Sequence, residues 1–207
     1  TFDVSGNMYI ADSLTGRIRK VDANGIITTA ASGLSHPSSV AVDSSGNIYA
    51  TEQYDNRIQK IDPNGTMTTL VSGGFIDITD LALDGVGNLY MADRYGCRVV
   101  KMDTAGRMTT VAGTGTCGYS GDGGPATQAR LGYLYQIDID RAGNLYIGDW
   151  SNGSVRKVDN RGIITTVAGN GTFAVGVDGR PATQTSLYGA FGIAVGLDES
   201  LYVTEPD

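Results

Sequence analysis

"GNLYMADRYGCRVVKMDTAGRMTTVAGTG", Gly87 to Gly115, returns almost residue for residue as "GNLYIGDWSNGSVRKVDNRGIITTVAGNG", Gly143 to Gly171. Anchoring on the Tyr of G-N-x-Y gives Tyr9, Tyr49, Tyr90 and Tyr146. Tyr202 supplies a fifth copy in which Glu199 and Ser200 replace Gly-Asn. The anchors are spaced by 40, 41, 56 and 56 residues. A fixed period of this size is the mark of a repeat architecture, and it governs how every other feature is read.

Other columns keep the same ruler. An acid follows each anchor by three residues (Asp12, Glu52, Asp93, Asp149, Glu205), and Arg17, Arg57, Arg98 and Ser154 stand eight residues on. Asp22, Asp62, Asp103 and Asp159 open a second D-x-x-G turn that leads into paired threonines. Within the second unit, Ser39–Val42, Ile48–Thr51, Arg57–Ile61 and Thr66–Val71 each alternate or run β-branched, separated by Asp/Asn/Gly turns. No stretch carries a helical stripe.

One such sheet of about forty residues cannot bury a core by itself, so copies must pack face to face. Radial packing of four-stranded antiparallel sheets is a β-propeller. The predicted fold is therefore all-β: about four complete blades and part of a fifth, with units near 1–37, 38–77, 78–134, 135–190 and 191–207 in one 1–207 domain. The final unit supplies only two strands and the first retains only Thr1-Phe2 of its opening strand. The expectation is a segment of a longer propeller. Neighbouring chains covering the open edges are the alternative.

The pattern G-N-x-Y-x-x-D, then N-R-I-x-K-[VI]-D and x-x-G-x-[IM]-T-T-[VL]-A-G, resembles NHL-repeat propellers. "TVAGTGTCGYSGDGGPATQARL" from Thr110 resembles the long-linker version found in extracellular and bacterial NHL proteins. The resemblance implies a six-bladed parent. It also brings to mind NHL-like lyases with a metal and histidines near the central channel, but the single histidine, His36, lies at a blade junction.

The turn aspartates are expected to tie turns; a carboxylate-only calcium site is the alternative. Arg17, Arg57 and Arg98 are expected to pair across the hairpin with the acid five residues earlier. The Gly-rich linkers carry neither a P-loop lysine nor dinucleotide spacing, so they read as ordered surface loops. No cofactor and no metal site is expected.

Hairpin geometry puts the strand two-to-three loops and the blade-to-blade linkers on one face. Gln53, Tyr54, Arg94, Tyr95, Trp150, Tyr119 and Asp122 are the candidate binding residues there. Packing beneath the long loops is the competing role for the aromatics. Cys97 and Cys117 fall on the same face and are candidates for a disulfide, which would imply an oxidising compartment. Asn64, Asn152 and Asn170 head N-x-[ST] sequons in predicted turns or loops.

A net charge of −7 argues against a nucleic-acid partner, and no apolar run reaches the length needed to span a bilayer. No signal peptide is recognised, and the sequence is read as starting after any targeting segment. The expected function is a non-catalytic binding or scaffolding propeller, extracellular or on a cell surface, that engages a protein or glycan. The alternatives are an adhesive element that assembles with copies of itself, and a piece of a propeller lyase whose catalytic groups lie elsewhere.

Overall fold

The computed structural model describes residues 1–206 and consists of antiparallel sheets in series. The first sheet is β1 (Met8–Asp12), β2 (Arg17–Val21) and β3 (Ile27–Ser32), and the second β4 (Pro37–Val42), β5 (Ile48–Glu52), β6 (Arg57–Ile61) and β7 (Met67–Ser72). The third contains β8 (Ile78–Leu83), β9 (Leu89–Asp93), β10 (Arg98–Met102) and β11 (Met108–Ala112). β12 (Leu134–Ile139), β13 (Leu145–Asp149), β14 (Ser154–Val158) and β15 (Ile164–Ala168) form the fourth; β16 (Gly192–Val195) and β17 (Leu201–Thr204) form the last. Phe2 bridges to Met8 and the Tyr9 amide donates to the Thr1 carbonyl at 2.8 Å, so Thr1-Phe2 stands where a first strand of the first sheet would run.

Local chemistry explains why each sheet begins where it does. Asp43 Oδ1 accepts the amides of Ser45 at 3.0 Å and Asn47 at 2.9 Å. Its Oδ2 accepts Asn47 Nδ2 at 2.7 Å and the Tyr49 hydroxyl at 3.1 Å. Asp3, Asp84 and Asp140 repeat the arrangement with Asn7 and Tyr9, Asn88 and Tyr90, and Asn144 and Tyr146. One carboxylate thus closes the hairpin, orients the Asn and anchors the Tyr, which is the physical content of D-x-x-G-N-x-Y. Gly46, with φ 82°, supplies the left-handed step that the turn needs.

In register with that Tyr on the next strand is a Lys: Lys60 faces Tyr49, and its ammonium sits 5.5 Å from the ring centroid. Lys20, Lys101 and Lys157 do the same over Tyr9, Tyr90 and Tyr146. The fifth copy keeps Tyr202 but has Gly196 at the Asp position, and Glu199 takes φ 66° where the others use Gly. Tyr202, without its carboxylate partner, is 61 % exposed.

The core lies between sheets. One apolar cluster joins the first and second sheets, one the second and third, one the third and fourth, and one the fourth and last. At the same column Ile18, Ile58, Val99 and Val155 are wholly buried, each contributing about 1.5–3 kcal/mol of apolar burial. Each blade therefore depends on its neighbours, as the period required.

Four of the acids three residues beyond an anchor Tyr lash the incoming linker to the blade. Glu52 accepts the Ser35 amide at 2.7 Å, Asp93 the Ile76 amide at 3.0 Å, Asp149 the Gly132 amide at 2.8 Å, and Glu205 the Tyr188 amide. Arg57 pairs with Glu52 at 3.2 Å and Arg98 with Asp93 at 3.0 Å, as expected across the hairpin. Arg17 lies opposite Asp12 in register, but the two form no ion pair among the described residues.

Candidate functional site

The first strands β4, β8, β12 and β16 line up side by side about the axis, and side chains join them. Ser39 Oγ accepts the Leu81 amide at 3.2 Å and donates to Asp80 Oδ1 at 2.7 Å. Asp80 Oδ2 accepts the Ile137 amide at 2.9 Å, and Gln136 Oε1 accepts the Ile193 amide at 2.7 Å. Ser39, Asp80 and Gln136 occupy the third position of their strands, so one rung of the repeat carries the ladder. Burial pushes the Asp80 carboxyl up to about 6, against the pull of the Ser39 and Ile137 bonds.

Above this ladder, on the long-loop face, opens a cavity of about 550 Å³ lined by Gln53, Arg94, Tyr135, Gln136, Phe191 and Thr204, among others. Strand two ends and the following single turns of 3₁₀ helix deliver Gln53, while Arg94 follows β9 directly. Arg94 is ion-paired with Asp77, and its guanidinium lies 4.5 Å from the Tyr95 centroid and 5.1 Å from that of Tyr135. Tyr135 in turn stacks obliquely on Phe191 at 4.6 Å and on Trp150 at 5.5 Å. Phe191 is 48 % exposed, and in the neighbouring loops Tyr54 is 75 %, Tyr95 46 % and Tyr133 40 % exposed.

The sequence-predicted residues divide by place. Gln53 and Arg94 line the cavity, and Tyr54 and Tyr95 follow them as exposed residues of the same loops. Trp150 is half-buried among Tyr135 and Phe173. Tyr119 and Asp122 go elsewhere. The linker that carries them runs out along β15, where the Ile164 amide donates to the Gly124 carbonyl at 3.0 Å and Pro125 bridges to Ile163.

There, Asp122 Oδ1 accepts from Arg156 Nη2 at 2.6 Å and its Oδ2 accepts from Thr166 at 2.7 Å. Tyr119 donates to the Thr166 hydroxyl at 2.7 Å and covers the Arg156 guanidinium at 4.7 Å. Arg156 is fully buried, with Asp149 at 3.8 Å from Nη1. Burial pushes the Asp149 carboxyl up to about 6, partly countered by Asn152, the Gly132 amide and Arg156. These two linker residues therefore tie a blade to its connection while remaining exposed at its surface.

Cys97 and Cys117 form a disulfide, with Cα atoms 5.2 Å apart, that ties the same linker to the loop after β9. Asn64 and Asn170 are exposed in their turns. Asn152 Nδ2 instead donates to the Gly118 carbonyl at 2.8 Å and to Asp149 at 2.8 Å, which spends both amide hydrogens inside the fold. His36 stacks edge-on against Tyr54 at 5.1 Å. Sequence reasoning missed Tyr135, Gln136 and Phe191: they sit on or beside the axial strands, and their only signal was the alignment of β12 with the other first strands.

Sheets in series joined by first strands about an axis define a β-propeller. The chain carries NHL repeats: residues 34–61 match the NHL-repeat model, and residues 87–178 match the model described as the teneurin NHL domain. Teneurin-1 of Gallus gallus and of Homo sapiens are each 39 % identical over 93 residues, covering 42 % of this chain and 3 % of theirs.

Among solved structures, an auxiliary nutrient binding protein from Bacteroides ovatus superposes with a TM-score of 0.76 at 19 % identity, over 98 % of this chain and 55 % of its own. A streptogramin B lyase gives 0.69 at 17 %, over 99 % and 60 %. A chain of the nidogen/laminin complex gives 0.62 at 18 %, over 78 % and 61 %. At these identities the three structures show the fold alone.

Proposed function

We propose that this NHL propeller is a non-catalytic binding and scaffolding module that holds a protein or glycan partner on its long-loop face. The observation that carries the reading is the set of exposed aromatics Tyr54, Tyr95, Tyr133 and Phe191 along the rim of the long-loop face, with Arg94 against Tyr95, held on a rigid scaffold. Exposed aromatics beside an arginine are the residue types that dominate binding energy at interfaces. The acid nearest the mouth, Asp80, has both oxygens engaged in holding strands together, which suits a framework role better than proton transfer.

An extracellular or cell-surface setting agrees with the disulfide and with the likeness to teneurin-1 over 93 residues. The test is binding of the fluorescently labelled protein to intact cells. Tyr95→Ala combined with Tyr54→Ala is expected to reduce binding at least tenfold while circular dichroism is unchanged. Undiminished binding by that double variant, or by a variant carrying a bulky graft on the rim, overturns the proposal.

A further inference from the structure

We infer that the axial cavity binds an uncharged, polyhydroxylated ring ligand, the terminal one or two sugars of a neutral glycan. The volume of about 550 Å³ is of the size that encloses a small ligand. One wall is an aromatic shelf, Tyr135 against Phe191 with Trp150 behind, able to take the apolar face of a sugar ring. The rest of the lining mixes amides and hydroxyls, among them Gln53, Gln136, Thr204 and Ser38, with apolar Ile193 and Ala194. Gln136 uses its carbonyl oxygen on the Ile193 amide, which leaves its NH₂ group for a ligand hydroxyl.

Charge decides the class. Arg94 is already matched by Asp77, and both Asp80 oxygens are occupied by Ser39 and Ile137, so the lining offers no unmatched charge to an anion or a cation. A ligand rich in hydroxyls and carrying one apolar face meets every wall with a partner; an ionic ligand would lose hydration without gaining a counter-charge.

The inference rests on the binding reading above, but on the cavity and not on the rim. The chain has a single tryptophan, and Trp150 lies 5.5 Å from the Tyr135 ring, so its fluorescence reports on the shelf. Neutral di- and trisaccharides (lactose, cellobiose, mannotriose, N,N′-diacetylchitobiose) are titrated against the intact protein beside sialyllactose and a heparin disaccharide. At least one neutral probe is expected to shift the emission saturably. Phe191→Ala and Gln53→Ala, both at the solvent edge of the cavity, should each weaken that probe about tenfold, as loss of a stacking face or a hydrogen bond does.

No saturable shift with any neutral saccharide up to the millimolar range overturns the inference. So does binding confined to the charged probes, or neutral binding that both variants leave unchanged. If saccharides fail while the rim variants still abolish cell binding, only this inference falls. If both fail, the binding reading falls with it.

Discussion

The connection from Gly113 to Leu131 and the connection from Gly169 to Leu187 carry the same D-G-x-P-A-T-Q string, and both begin with a glycine amide donating to the Ala carbonyl at 2.9 Å. Beyond that they diverge. Ala126 is 1 % exposed and Leu131 wholly buried, whereas Ala182 is exposed and Leu187 half-buried. The first linker lies along β15 with Asp122 on Arg156; no described strand lies so beside the second, and Asp178, the counterpart of Asp122, has no such cation among the described residues.

The covalent staple differs as well. Cys117 of the first linker, bonded to Cys97 in the loop after β9, corresponds to Phe173 in the second, with Gly153 at the Cys97 position; Phe173 packs on Trp150 at 5.3 Å and Tyr188 at 4.7 Å. A shared string thus sets the local turn, while a docking surface supplies the burial.

The largest effect that would test this contrast is expected at Arg156. Arg156→Ala leaves Asp149 buried without its cation and removes the seat of Asp122 and Tyr119. Stability to urea should fall by about 3–5 kcal/mol, and a loss below about 1 kcal/mol would mean that the first linker is held by something else. Ala126→Glu, placing a charge in the apolar cluster between the third and fourth sheets, should cost about 3 kcal/mol or more, while Ala182→Glu should change stability by less than about 0.5 kcal/mol. Equal costs at the two alanines would erase the comparison.

Reduction sharpens it. Breaking the Cys97–Cys117 bond, which closes a separation of 20 residues, should cost about 3 kcal/mol in the chain-entropy account. It should expose the 113–131 segment to proteolysis without altering cleavage in 169–187.

A smaller effect is expected from pH. Asp80 and Asp149 have folded carboxyls raised from 3.8 to about 6, so the unfolded chain releases those protons first. Their contribution to stability is therefore full below about pH 4 and is lost as pH rises through 6, by on the order of 1–3 kcal/mol for each. The turn aspartates work in the opposite sense. Burial at Asp43 is outweighed by the bonds from Asn47, Tyr49 and Ser45, which hold its carboxyl below the usual range, so that stability is lost as pH falls below 3.8. Denaturation of Asp80→Asn across pH 4–7 should show a shallower decline than the parent; an identical profile would mean that the axial carboxyl does not titrate.

Much of the fold was legible because its determinants are local. The D-x-x-G-N-x-Y turn is closed by hydrogen bonds within six residues, and the Tyr-over-Lys pair follows from hairpin register. The site was only partly legible. Gln53, Tyr54, Arg94 and Tyr95 could be placed because hairpin geometry assigns loops to faces. Tyr119 and Asp122 could not be placed, because their partners Thr166 and Arg156 lie 44 to 47 and 34 residues away in sequence respectively, on a blade that no local rule connects to them.

The sequence by itself determined the blade, its turns and the requirement for neighbours, since a period and its turn chemistry are written within a few residues of each other. Only the tertiary structure decided which side chains face the axis, which linker is docked, and where Tyr135, Gln136 and Phe191 converge. Those outcomes depend on packing between blades whose residues stand more than thirty positions apart, and the hydrogen bond from the Ile193 amide to Gln136, across 57 residues, is the distance scale on which the cavity is built.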